Sequence, residues 1–181
     1  MGQALVERGH SWFWLGLAPS VFVGVVALLV PDDVLERIPA ARMWVGWLAS
    51  AIPSMKSYAE YSQFPQAAGF TFSLAWALFP FQFIFVLVSF MRHTDVIEVV
   101  RRANSLGLSR GRLLIMGGGL AAVSIWALFF LAKDPGIVGD YGVSSSRAGL
   151  ALFGAFQFWF TAFCFSAFCV IALKTNRGDF Q

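Results

Sequence analysis

Charged residues are scarce in this sequence, and four long apolar stretches contain none of them. Asp, Glu, Lys and Arg make up 13% of the 181 residues, whereas about 25% is usual in a soluble domain. Hydrophobic residues make up 58% of the chain. Lipid should therefore be its main solvent, and the four stretches leave no segment of the usual size for an independent soluble domain. We expect residues 1–181 to form a single membrane domain.

Histidine and cysteine are also rare, with two of each in the chain. His10 and His93 lie at the ends of apolar stretches, so a pair of axial haem ligands inside a helix bundle is not expected. Cys164 and Cys169 would point about 140° apart on a helix, which argues against a disulfide between them. Because the apolar stretches hold no ionisable group, intramembrane catalysis and ion-coupled transport are disfavoured. We predict that the protein is not an enzyme and binds no cofactor or metal.

Each of the four apolar stretches is long enough to be a transmembrane helix. The predicted spans are residues 12–30, 67–91, 113–132 and 150–173, which gives an all-α, polytopic membrane protein. Trp12 and Trp14 mark an interface at the beginning of the first span, and Pro31 ends it. We interpret this span as a retained anchor and not as a signal peptide, since its apolar core exceeds the usual length of about 7 to 15 residues.

A further apolar stretch, residues 43–52, is too short to cross a bilayer. As a helix it would rise about 15 Å, half of the hydrocarbon thickness. Trp44 and Trp47 favour a short helix that lies in the membrane interface, and a re-entrant segment is the alternative. Tyr58 and Tyr61 follow, and we expect them near the lipid headgroups.

Few residues in the spans are strongly polar, and small residues in one of them predict close contacts between helices. Gln82 follows Pro80, and Gln157 is the strongly polar residue of the last span. We expect both to hydrogen-bond neighbouring helices; for Gln82, the carbonyl freed by Pro80 and a transported solute are alternatives. In the third span, small residues four apart predict close packing within the chain or against a partner subunit. These residues are Gly117, Gly118, Ala121 and Ala122.

The distribution of basic residues predicts the orientation. With four spans, eight Lys and Arg residues lie on the side of both termini, and five lie on the opposite side although its loops are longer. Basic residues favour the cytoplasmic side, so both termini should be cytoplasmic. We expect an integral protein of the bacterial inner membrane. Nucleic-acid binding is not expected, because the basic residues cluster beside the spans.

The loop between the second and third spans contains the most organised charge. Residues 94–106 predict an amphipathic helix with Thr94 as N-cap and Gly107 at the C′ position, where left-handed geometry is needed. Ser109 can cap the helix that follows. The arginines of the loop are candidate contacts for anionic lipids or for a cytoplasmic partner. They are Arg92, Arg101, Arg102, Arg110 and Arg112.

Part of this loop has a local resemblance to a known family. Residues 103–110, ANSLGLSR, resemble the helix and glycine turn in the cytoplasmic loop through which ABC importer permeases engage their ATPases. Arg101 and Arg102 stand where that family has Glu-Ala, and no matching proline follows in the third span. The resemblance implies a docking element for a cytoplasmic protein.

Together these features favour a protein that works through contacts. The first hypothesis is an accessory or assembly subunit of a larger membrane complex, which would bind membrane lipids, other membrane subunits and, at the 92–112 loop, a cytoplasmic partner. The second is a membrane component of a transporter, channel or secretion machine, with hydroxyl side chains of the spans lining a pore in an oligomer. The third is a membrane immunity or exclusion protein.

Overall fold

The computed structural model describes residues 2–92, 105, 107, 109–130 and 146–176. Within these ranges every regular element is a helix, as predicted. The helices are α1 (Gly2–Leu29), α2 (Val34–Arg37), α3 (Pro39–Ala51), α4 (Pro53–Tyr61), α5 (Pro65–Arg92) and α6 (Arg110–Phe130). The last, α7, consists of three consecutive segments: Arg147–Gly149, the π-helical Leu150–Gly154 and Ala155–Asn176.

Three helical stretches are long and apolar enough to cross a membrane, which indicates an integral membrane protein. They are Pro65–Arg92, Gly111–Leu128 and Arg147–Leu173, and they correspond to the second, third and fourth predicted spans. In α1 the apolar stretch is the shorter Trp14–Leu29. At about 1.5 Å per residue it reaches about 24 Å. The first predicted span, 12–30, therefore stays a prediction.

Prolines and capping serines set where the helices begin. Pro39 and Pro53 occupy first-turn positions of α3 and α4, and the preceding residues Ile38 and Ile52 have extended backbones. Proline disfavours helical geometry in the residue before it and fits the first helical turn, so each proline separates two helices. At α7, the side-chain oxygen of Ser146 accepts a hydrogen bond from the Gly149 N–H at 2.9 Å. With this cap, α7 begins at Arg147, three residues before the predicted fourth span, 150–173.

The segment predicted as a lone interfacial helix at 43–52 differs from that expectation. Its helix, α3, begins at Pro39, because the proline fits its first turn, and α4 follows after a break at Ile52. Ile52 and Met55 are buried and belong to the hydrophobic core. Tyr58, expected near the headgroups, is 7% exposed and stacks on Phe72 with ring centroids 4.0 Å apart. Its depth in the membrane stays a prediction.

α1 runs antiparallel to α5 and comes very close to it. A Cβ added at Gly16 would lie 2.7 Å from Cγ2 of Val86. One turn later in α1, Ser20 bonds Gln82, which is one turn earlier in α5. Residue numbers therefore rise along one helix as they fall along the other. Small residues at the contact allow this approach.

α1 is also antiparallel to α7. Ser20 bonds the carbonyl of Ala155, and a Cβ at Gly24 would lie 3.3 Å from the carbonyl oxygen of Ala151. Gly16, Ser20 and Gly24 thus form a row with four-residue spacing. Sequence analysis assigned this spacing to the third span and missed it here, although it was visible in the sequence.

The remaining long helices complete an alternating arrangement. α5 and α7 are parallel, because Phe72 lies beside Phe158 and Phe83 lies beside Phe165. α6 is antiparallel to α7: Gly118 packs on Phe168 near one end, whereas Thr161 meets Ser124 further along. α1 and α6 therefore point one way, and α5 and α7 point the other way.

Adding one methyl group at Gly16 should weaken the contact between α1 and α5. In Gly16→Ala the new Cβ would meet the fully buried Val86, and overpacking of this kind costs about 1–3 kcal/mol. The measurement is the free energy of unfolding from titration with a denaturing detergent in mixed micelles.

Gly119→Ala is the matched control, because a Cβ at this position in α6 meets nothing within 4 Å. We expect it to leave stability unchanged, and Gly16→Ala combined with Val86→Ala to recover part of the loss. Equal stability of the Gly16 and Gly119 variants would contradict the close approach.

Candidate functional site

Gln82 joins three helices through Ser20. It is 2% exposed, and its Nε2 donates to Oγ of Ser20 at 2.6 Å. The Ser20 hydroxyl in turn donates to the carbonyl oxygen of Ala155 at 2.9 Å. The gap between these three helices, which Phe158 also lines, has no room for a water molecule. The polar atoms of this cluster therefore join α5, α1 and α7.

A second polar contact joins α4 to α7. The Tyr58 hydroxyl donates to Oε1 of Gln157 at 3.0 Å. Nε2 of Gln157 is buried and has no hydrogen-bond partner among the described residues. Burial raises the pKa of Tyr58 to about 12, because the charged phenolate is poorly solvated there. Tyr58 is therefore neutral at physiological pH and acts as a hydrogen-bond donor.

Hydroxyl groups extend this set of contacts to α6. Ser54 of α4 is buried and donates to the Leu128 carbonyl of α6 at 2.5 Å. Thr161 of α7 donates to the Ser124 carbonyl of α6 at 3.3 Å and to the Gln157 carbonyl of its own helix at 3.0 Å. A side chain that donates to a backbone carbonyl fixes the depth of one helix relative to its neighbour. α4, α6 and α7 are joined in this way.

Arg147 holds the beginning of α7 against the end of α1. Its Nη1 donates to the carbonyl oxygen of Ala27 at 3.0 Å, its Nη2 pairs with Asp32, and its guanidinium lies 4.7 Å from the ring centroid of Phe64. A cation is favoured at the carboxyl end of a helix, and arginine also binds aromatic faces. Sequence analysis counted Arg147 only as one of the five basic residues on the side opposite the termini. Its spacing to Asp32, 115 residues, offers no local signal.

The described part of the arginine loop is exposed. Arg92 ends α5 and is exposed, as is Arg112 in the first turn of α6. The Arg112 N–H donates to Oγ of Ser109 at 3.4 Å, which is the capping contact expected from the sequence. Gly107 has a φ of 79°, the left-handed geometry expected at a C′ position.

The rest of this loop cannot be compared with its predictions. Arg101, Arg102 and the predicted helix 94–106, apart from Ser105, lie outside the described residues. Arg110 begins α6, and its side chain also lies outside the description. The proposed contacts of these arginines therefore stay predictions.

The small residues of α6 lie on two sides of the helix. A Cβ at Gly117 or Gly118 would lie 3.7 or 3.2 Å from the Phe168 ring of α7. Ala121 is buried on the same side, whereas Ala122 is exposed. Three of the four predicted packing residues thus lie toward α7, and the fourth lies on the outer side.

An apolar groove of about 310 Å³ lies between α1 and α7. Small residues form its floor, where Gly24 meets Ala151. Large side chains form its walls, among them Val21 and Phe156. The sequence analysis did not predict this groove, because it depends on how α1 and α7, which are distant in the chain, pack against each other.

In the described part of the chain, no group of three or more His, Cys, Asp or Glu residues could hold a metal ion.

Comparison with known proteins gives no relative for this chain: no family model, curated protein or solved structure matches it. The resemblance of residues 103–110 to ABC importer permeases thus stays confined to those residues. Function has to be argued from the contacts of this chain.

The burial of Tyr58 predicts a distinct step in a tyrosine titration. The absorbance of tyrosinate should include a component near pH 12 that Tyr58→Phe removes. Because the folded pKa is raised above about 10, burial of the neutral phenol stabilises the fold below pH 10, and this contribution is lost as pH rises toward 12.

Tyr61→Phe is the matched control, because Tyr61 is exposed at the end of the same helix. This variant should keep the component near pH 12. If both variants keep it, Tyr58 does not occupy the buried position described here.

Proposed function

We propose that this protein is a non-catalytic integral membrane protein that serves as an accessory or assembly subunit of a larger membrane complex. The observation that carries the proposal is the use of the buried polar groups. Gln82 bonds α1, Tyr58 bonds α7 and Thr161 bonds α6. Catalysis or transport in lipid needs polar groups held for that task. Here several polar groups of the described interior, Gln82, Tyr58 and Thr161 among them, hold helices together.

We further propose four spans, with α1 as the first. Support comes from its position: Ser20 lies against Gln82, near the middle of α5, and α1 continues beside α7 to Ala27. A helix held beside the centre of a spanning helix shares its depth in the membrane. The alternating directions of α1, α5, α6 and α7 fit a chain that crosses four times.

This arrangement favours a position of α3 at one membrane surface. α3 has exposed Met43, Trp44 and Trp47 opposite its buried face, which favours a position in the interface. The proposed amphipathic helix 94–106 would lie at the opposite surface, with the arginine loop and both termini. The larger number of basic residues on that surface supports a cytoplasmic location, in the inner membrane of a bacterium.

A reporter fusion tests the four spans and their orientation. A reporter that is active only outside the cytoplasm should be inactive when fused after Gln181. The same reporter inserted after Asp134, in the loop between α6 and α7, should be active. Activity at Gln181 would contradict a cytoplasmic carboxyl terminus, and equal activity at both positions would contradict a crossing by α7. Activity of the same reporter fused before Met1 would contradict a crossing by α1, because three spans would leave the amino terminus outside the cytoplasm.

The outer side of α6 is the surface proposed for a partner subunit. Gly119 and Ala122 are exposed there and are flanked by the exposed side chains of Ile115, Val123 and Trp126. A Cβ at Gly119 would meet nothing within 4 Å. Small residues between large apolar ones let the backbone of another helix approach closely. The inner side of α6 is already packed on α7.

Purification in mild detergent followed by mass spectrometry tests this function. At least one further membrane protein should elute with the wild-type chain at constant stoichiometry. Ala122→Phe should lower its recovery at least tenfold, because the ring would occupy the surface for the partner helix. Replacement of both Arg101 and Arg102 by Glu should release a cytoplasmic partner and leave the membrane partner bound.

Ile84→Phe is the matched control, since Ile84 is also exposed but lies on α5. It should recover the partner as the wild type does. A monodisperse protein that elutes without any partner would contradict the accessory-subunit proposal.

A membrane component of a transporter or secretion machine is the second candidate. The observation that favours it is Gly107, whose positive φ provides a turn at the glycine of the segment that resembles permease loops. Solute flux through liposomes that contain the purified protein alone distinguishes the two candidates. Flux would favour the second.

A further inference from the structure

We propose that the groove between α1 and α7 binds one acyl chain of a phospholipid, whose phosphate lies beside Arg147. The proposal rests on the four-span arrangement proposed above, because it needs α1 to lie in the bilayer. It goes beyond that function by naming a ligand and a site for it.

The chemistry of the groove suits a hydrocarbon chain. Two lining residues carry a polar side-chain atom: the Ser20 hydroxyl already donates to the Ala155 carbonyl, and the indole nitrogen of Trp159 is buried. Val21, Leu152 and Phe156 rise beside the floor and are each more than half exposed. A chain laid between them would cover apolar surface on two sides.

The length of the groove matches the depth of one acyl chain. Its lining residues on α1 extend from Leu17 to Leu28, a rise of about 16 Å along a helix axis. One leaflet accounts for about half of a hydrocarbon core of about 30 Å, which is about 15 Å. An acyl chain that enters from one surface needs only the depth that is present.

Arg147 lies at the end of the groove where a headgroup would be. Its Nη1 bonds the carbonyl of Ala27, next to Leu28 of the lining, and Arg147 is one turn before Ala151 of the floor. The Arg147 side chain is 21% exposed. Its described hydrogen bonds involve Nη1 and Nη2, and a guanidinium carries five N–H donors, so donors are left for phosphate oxygens.

Asp32 modulates this charge. It pairs with Arg147 and is itself 66% exposed, so its carboxylate lies where a phosphate would approach and would repel it. Removal of the negative charge in Asp32→Asn should therefore strengthen binding of an anionic lipid, whereas loss of the Arg147 charge should weaken it. This opposite response separates a lipid headgroup site from a purely structural ion pair.

Native mass spectrometry of the purified full chain titrated with phosphatidylglycerol measures the site. Val21→Trp should fill the groove and weaken binding of the first lipid at least fivefold, and Leu152→Trp should do the same from the opposite wall. Asp32→Asn should strengthen it about threefold. Ile84→Trp is the matched control, because Ile84 is comparably exposed on α5 and does not line the groove; it should bind as the wild type does.

Two outcomes would overturn the proposal. The first is equal lipid binding by the wild type, both groove variants and the Ile84 control. The second is loss of a co-purifying protein from the groove variants without any change in lipid binding, which would mean that a partner helix occupies the groove. Either result leaves the proposed partner surface on α6 open, since that surface is tested by Ala122→Phe.

Discussion

The row of small residues on α1 determines how near this helix can come to its two neighbours. Gly16 gives room to Val86 of α5, and Gly24 gives room to the backbone of α7 at Ala151. In lipid there is little hydrophobic force to press helices together, so close packing and hydrogen bonds must do so. The bond from Ser20 to Ala155 and the bond from Gln82 to Ser20 form only because the glycines on either side permit this distance.

The same approach explains why the groove is open to one side. Where Gly24 and Ala151 touch, the helices have no bulky side chains between them. The larger residues of both helices therefore project outward past the contact and leave a trough above it. A π-helical segment at Leu150–Gly154 lies at this contact and turns its residues differently from a regular α-helix. Tight packing at the floor and an open trough are thus two results of one geometry.

Local sequence signals predicted where helices begin and end better than they predicted which helices pack against one another. The capping role of Ser109 and the left-handed Gly107 follow from rules that involve a few adjacent residues. The starts at Pro39 and Pro53 obey such a rule too, although the sequence analysis did not predict them. Composition alone was enough for three of the apolar helices. The first span, 12–30, stays a prediction, because the apolar part of α1 found among the described residues is Trp14–Leu29.

The residues whose contacts the sequence analysis did not predict have one property in common: their partners are far away in the chain. Tyrosine is a residue type that is enriched at membrane interfaces. Tyr58 is nevertheless enclosed by Gln157 and Phe72, because α4 packs on the bundle. Arg147 looked like a marker of orientation until α7 was placed beside the end of α1. Such positions are fixed by which helices become neighbours. In a single sequence, only weak signals such as the small-residue row on α1 indicate which helices become neighbours.

The division of α6 into two sides bears on how the proposed complex could form. Gly117, Gly118 and Ala121 are already used against α7, so the fold of the chain does not wait for a partner. Gly119 and Ala122 are on the exposed side and contribute nothing to that packing. A subunit that docks there would meet a helix already held at fixed depth by the contact between Thr161 and Ser124. Folding and assembly can then be separate steps, and a substitution on the outer side should affect the second without the first.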